Sequence, residues 1–242
     1  MTSRLKKELI YLKRFLLNIF SPERVFKVSV QDCIAETGHS YGPNGNHFFT
    51  KALQAGDSKE ELKGYLREYY KKFLVKSFNE FVNEDIGKPE GKLYFLPWEK
   101  DRIRELERFK GSHKAGPTNE ADLEIIVDRL VNILNIVRTK GFKQKSIKDG
   151  IIRVQKLVNK DGKSKFIIRD GQHRLAIASY LEIKEVFVTY ESVYYFRDKE
   201  ESIILEKSVD SWPKVKSGLI SREQALKYFN KVFNTTVGNE NC

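Results

Sequence analysis

The chain has 242 residues, 40% of them hydrophobic, enough for one large domain or for a core with additions. A formal net charge of +11 and a pI of about 9.4 favour anionic partners (nucleotide, nucleic acid, acidic lipid or acidic glycan) without selecting among them. Cys33 and Cys242 are too few and too far apart for a disulfide framework, no apolar run approaches the roughly 20 residues of a transmembrane helix, and no secretory leader pattern opens the chain, so the expected location is cytoplasmic.

In chain order, residues 4–20 read as an amphipathic helix. Leu5, Leu9, Leu12, Leu16 and Ile19 form one stripe, and Arg4, Lys6, Lys7, Lys13 and Arg14 supply positive charge. Packing on the protein's own core is preferred, and peripheral contact with the inner face of a membrane is the alternative. Val25–Val30 is a candidate strand. The stretch from Gly38 to Phe49 is dense in Gly, Pro and Asn and holds His39 and His47. Its spacing matches neither a P-loop nor a zinc site, which favours an irregular structural loop. The stretch also resembles segments of bacterial surface-polysaccharide proteins.

Residues 58–85 read as a helix opened by a Ser58/Glu61 capping box, with Tyr65, Tyr69, Tyr70, Phe73 and Phe78 in a broad stripe suited to a core. A linker at 87–91, a short strand at 93–96 and a charged helix at 99–109 follow. Thr118 is the expected cap of a helix running to Lys140 and stopped by Gly141, with Ile125, Ile126, Leu130, Ile133, Leu134 and Val137 inward. Glu120 and Glu124 suit the helix dipole in its first turn. Glu124 is assigned that role alone, whereas Glu120 serves equally as a candidate base. Strands are expected at 151–158, around 165–168 and at 185–190, with a hairpin turn at 159–162 between the first two. A last helix begins at Ser221, capped with Gln224.

The densest chemistry lies between the last two of those strands. Asp170-Gly171 ends an apolar run, and Leu175, Ala176, Ala178 and Leu181 then recur at helical spacing. A carboxylate, an imidazole and a guanidinium (Asp170, His173, Arg174) thus meet at a helix N-terminus, where free N–H groups attract anions. The same residues fit a purely structural turn, with Asp170 as cap and Arg174 in an ion pair.

Asp170-Gly171-Gln172-His173-Arg174-Leu175-Ala176 resembles the nucleotide-site signature of the ParB/sulfiredoxin-like superfamily, and the resemblance covers about residues 93–192. Sulfiredoxins need a Cys where this chain has Gln172, and partition proteins carry a DNA-reading helical part that the residues after Tyr190 are too few to form, so sequence-specific nucleic acid is not an expected partner. The motif is closest to the free serine kinases. The resemblance implies an α+β fold with a small mixed sheet and helical additions at both ends, divided into an extension at 1–90, a nucleotide-binding core at 91–198 and a second extension at 199–242. It implies phosphate binding by Gly171, Gln172, His173 and Arg174, with Ser112, His113 and Lys114 lining the same cleft. Asp170 becomes base or magnesium ligand, and His173 a phosphate ligand or proton shuttle. The expected activity is phosphoryl transfer from ATP or ADP, with Mg2+, to a small-molecule or glycan hydroxyl. A nucleotide-binding switch or scaffold without turnover and a DNA-binding ParB relative are the alternatives.

Overall fold

The structure, a computed structural model, describes residues 25–36, 38–42, 44–72, 96–99, 119–143, 151–190 and 202–234. The expectations for the helix at 4–20, for Ser112, His113 and Lys114, and for most of the charged helix at 99–109 lie outside these residues.

Adjacent side chains on a strand point to opposite faces, so an apolar pair such as Ile167-Ile168 must be covered on both sides. This happens at the centre of a six-stranded mixed sheet. The strands are β1 (Val25–Ser29), β2 (Cys33–Ile34), β3 (Ile152–Val158), β4 (Ser164–Asp170), β5 (Glu185–Tyr190) and β6 (Ile203–Leu205). Their order is β1-β5-β3-β4-β2, with β6 beside the far half of β3. β3 pairs antiparallel with β4 and parallel with both β5 and β6; β4 pairs parallel with β2, and β5 antiparallel with β1.

Ile168, Val154, Ile152, Val188 and Val28 enter one core with helices α1 (Phe48–Ala55), α2 (Lys59–Lys72), α3 (Glu120–Lys140) and α4 (Gln172–Tyr180). Ile167, Leu157, Ile34 and Ile204 enter a second core on the other face, with Trp98, Trp212 and helix α6 (Arg222–Phe233), which follows the short α5 (Pro213–Lys216). The coarse expectation of an α+β fold with a small mixed sheet therefore describes the molecule. The sheet takes β1 and β2 from the expected first extension and β6 from the expected second one, so among the described residues all three expected segments share one architecture.

Local chemistry explains most element ends. Ser221 accepts from Gln224 N–H at 3.0 Å while Gln224 Oε1 accepts from Ser221 N–H at 3.0 Å, closing the capping box of α6. Ser58 and Glu61 form the same reciprocal pair at the start of α2. Asn119, rather than Thr118, caps α3 by accepting from Asp122 N–H at 2.8 Å. Ile125 faces solvent, 65% exposed, contrary to the inward position expected of it. It lies two residues, about 200°, from the buried Leu123, so it cannot share the stripe of Leu123, Val127, Leu130 and Leu134. No helix among the described residues is long and apolar enough to cross a membrane.

The Gly-rich loop folds inward. His47 caps α1, its Nδ1 accepting from Phe49 N–H at 3.3 Å. With Nδ1 as acceptor, the neutral ring carries its proton on Nε2 and donates to Tyr41 Oη, 2.8 Å away. Both side chains are fully buried, as a structural loop requires.

Candidate functional site

The site begins with a β-bulge. Val154 pairs with Ile168 but Arg153 pairs with Asp170, so Arg169 is the extra residue on β4. This slip brings Arg153 and Asp170, which ordinary alternation would turn to opposite faces of the sheet, into contact: Arg153 Nη2 lies 2.5 Å from Asp170 Oδ2 and Nε 3.1 Å from it. Burial opposes ionisation of Asp170, but the Arg153 bond, the charges of Arg153 and Arg174, and the Gly171 N–H outweigh it and hold the carboxyl below its ordinary range.

Gly171 then reverses the chain at φ 91°, a left-handed conformation that side chains disfavour. A β-carbon there would stand 2.9 Å from Ile152 Cγ1, 3.3 Å from Ile152 Cα and 3.2 Å from Arg174 Nη2. Only glycine lets the Arg174 guanidinium lie across the turn in this way. As the N-cap of α4, Gly171 offers no side-chain acceptor. Leu175 N–H makes the first bond of the helix, to Gly171 O at 3.0 Å, and the N–H groups of Gln172, His173 and Arg174 lie ahead of it.

Arg174 is half-buried at this terminus. Its Nη2 reaches only a long contact of 3.5 Å with Ile151 O, and its Nε is buried without a hydrogen-bond partner among the described residues. Burial lowers its affinity for the proton; Asp170 restores part of this, and the neighbouring Arg129 and Arg153 remove some again. The guanidiniums of Arg153 and Arg174 thus both act on one carboxylate at a helix N-terminus. Such an array holds an anion with several acceptor oxygens.

The other expected residues are placed differently. His173 is 6% exposed and stacks on Phe49 with ring centroids 4.4 Å apart, inside the first core. Gln172 is also buried, and its Oε1 has no hydrogen-bond partner among the described residues. Glu120 is gripped by Arg67 through two bonds of 2.7 and 2.8 Å on the α2–α3 seam. That fork holds Glu120 below the usual carboxylate range, which suits a poor base.

Among the described residues, no group of three or more His, Cys, Asp or Glu can hold a metal ion. Asp170 has guanidinium neighbours, which attract a carboxylate and repel a divalent cation. These residues do not fit a resident magnesium; the carboxylate is engaged by Arg153.

Two arginines of the site, Arg129 and Arg153, lie outside the motif. Arg153 is not legible from the hairpin, because a regular register from the turn at Asn159–Gly162 would set it opposite Arg169, and only the bulge pairs it with Asp170. Arg129 has no local signal, since it acts on Arg174 from α3, distant in the chain. Comparisons with protein-family models, with curated proteins and with solved structures gave no match.

The Asp170–Arg153 pair sets a pH dependence. A carboxyl whose folded pKa is depressed contributes stability that is present above its unfolded value, roughly 3.9, and is lost as pH falls through the folded value. Urea unfolding at pH 5 and pH 3 should therefore show a larger acid loss for the wild type than for Asp170→Asn. Equal losses would mean that the pair carries no stabilisation.

Proposed function

We propose that the Gly171 turn binds the phosphates of a nucleotide, ATP or ADP, and that the chain is a ParB/sulfiredoxin-like phosphotransferase acting on a small-molecule or glycan hydroxyl. The observation that carries this reading is the Arg174 guanidinium lying across Gly171 at the N-terminus of α4, its Nε buried without a hydrogen-bond partner among the described residues, next to the Arg153–Asp170 pair. Phosphoryl transfer depends mainly on positioning and on neutralising charge across several oxygens, and guanidinium forks with backbone N–H groups supply both. In this reading Arg174 and the N–H groups of Gln172, His173 and Arg174 hold phosphate oxygens. Asp170 orients Arg153, and His173 fixes the helix by packing on Phe49. Magnesium would arrive with the nucleotide, bound to its phosphates.

A second reading, a nucleotide-binding switch without turnover, is favoured by one specific observation. Asp170 and His173, the two expected acid–base groups of the motif, are engaged by Arg153 and Phe49. Incubation of the full chain with ATP or ADP and a panel of hydroxyl acceptors separates the two. Release of ADP or AMP with a phosphorylated acceptor is the expected result. Nucleotide that binds and is recovered intact supports the switch, and absence of nucleotide binding removes both readings.

A further inference from the structure

We infer that α3 pairs antiparallel with α3 of a second copy of this chain, through a stripe running from Ile125 to Ile136, whatever the Gly171 turn binds. Ile125 and Ile136 are 65% and 45% exposed. They stand three helical turns apart, so they share one line about 16 Å long, with Arg129 and Asn132 exposed between them. The other faces of α3 are occupied within the chain. Leu123, Val127, Leu130 and Leu134 fill the first core, and Glu120, Glu124 and Asp128 pair with Arg67, Lys63 and Lys59 of α2. A single exposed isoleucine needs no explanation, but two in line, one at each end of a polar pair, make a pattern with its own symmetry.

The stripe is complementary to itself when turned end to end, as a twofold contact requires. With the axis between Leu130 and Val131, Ile125 meets the partner's Ile136, and Arg129 meets the amide of the partner's Asn132. Asp122 and Lys140 are five whole turns apart, so they lie on one flank of the stripe, about 60° round from Ile125. A twofold axis sets that flank against its own copy, and Asp122 then faces the partner's Lys140 to within one residue of the same register. Neither side chain is in an ion pair among the described residues; Asp122 only accepts from Asn119 Nδ2 at 2.8 Å. Both charged pairs form twice, and the two helix dipoles oppose. Parallel pairing would instead set Asp122 against Asp122 and Lys140 against Lys140. Exposed ion pairs contribute little affinity, but they select orientation, and the isoleucines supply the apolar contact.

Analytical ultracentrifugation of the full chain, of Ile125→Glu, of Ile136→Lys and of the double variant tests this. The wild type should form a dimer with a Kd between about 1 μM and about 1 mM, as a small interface does. Each single variant should dimerise at least roughly tenfold more weakly, because a charge then faces an isoleucine. The double variant should regain association, since position 125 then meets the opposite charge at the partner's position 136. A wild type that stays monomeric up to about 1 mM would overturn the proposal. Single variants that dimerise like the wild type would overturn it by placing the contact on another surface. A double variant no stronger than the single ones would overturn the antiparallel register. Both positions are exposed, so the dilute variants should melt within about 2 °C of the wild type. A fall of more than about 5 °C would show that the chain itself covers the stripe, and would overturn the proposal as well.

Discussion

Arg169→Ala is expected to destabilise the fold by about 3 kcal/mol. Arg169 follows Ile168 on β4, so alternation sends it to the face opposite the first core. There its Nη1 pairs with Glu36 and its Nη2 with Glu99 Oε1 at 2.9 Å. Glu36 is only 7% exposed. Gln155 donates to Glu99 at 3.1 Å and accepts from Trp98 Nε1 at 3.3 Å, and Tyr228 donates to Glu36 O at 2.9 Å, so this cluster ties β2, β3 and β4 to α6. Removing the cation takes a shared guanidinium from two carboxylates, one of them almost wholly buried, which costs more than the pair itself contributes. For a chain of this size the loss corresponds to a fall of roughly 6–12 °C in melting temperature. Arg169→Ala combined with Glu36→Gln and Glu99→Gln should recover part of it. A fall below 2 °C for Arg169→Ala alone would show that the cluster is solvated and carries little.

The second large effect is on binding. Arg174→Ala should weaken ADP affinity by about a hundredfold, the upper end for charge-assisted bonds from one guanidinium. Two features give Arg174 this weight. Its guanidinium lies across Gly171, beside the N–H groups that open α4. Its only hydrogen bond among the described residues is the long one to Ile151 O, so little of its donor capacity is spent in the fold. The substitution removes a charge that favours ionised Asp170 but also relieves crowding with Arg129 and Arg153, and these opposed changes leave stability nearly constant.

The parts of the site that depend on neighbours along the chain are legible in the sequence. The strand from residue 165, the break at Gly171 and the helix behind it follow from apolar spacing and from the conformational freedom of one glycine, and β4, α4 and β5 lie where that pattern puts them. The Ser221 and Ser58 caps are legible for the same reason. What stays hidden depends on packing between distant segments. The helix at Phe48–Ala55 reads as the end of a loop, because it follows a Gly- and Asn-rich stretch and is capped by His47, outside the usual set of cap residues. His173 reads as facing a cleft, but α4 is buried on nearly every side and offers no polar face from which sequence could orient it. Asp170 invites a catalytic role because its partner, Arg153, is 17 residues away on a strand whose register contains a bulge. Glu120 is linked to the site only through its position in a first turn, whereas its partner Arg67 comes from α2.

The central claim is that the Gly171 turn is an anion site built for phosphate, and the most direct measurement is titration of ADP into the full chain and into Arg174→Ala, with melting curves of both proteins alongside. The account predicts saturable binding to the wild type, a loss of about a hundredfold in Arg174→Ala, and melting temperatures within about 2 °C of each other. Equal ADP affinity in the two proteins, or a steep fall in the melting temperature of Arg174→Ala with no change in binding, would contradict it and leave the turn as a structural junction between β4 and α4.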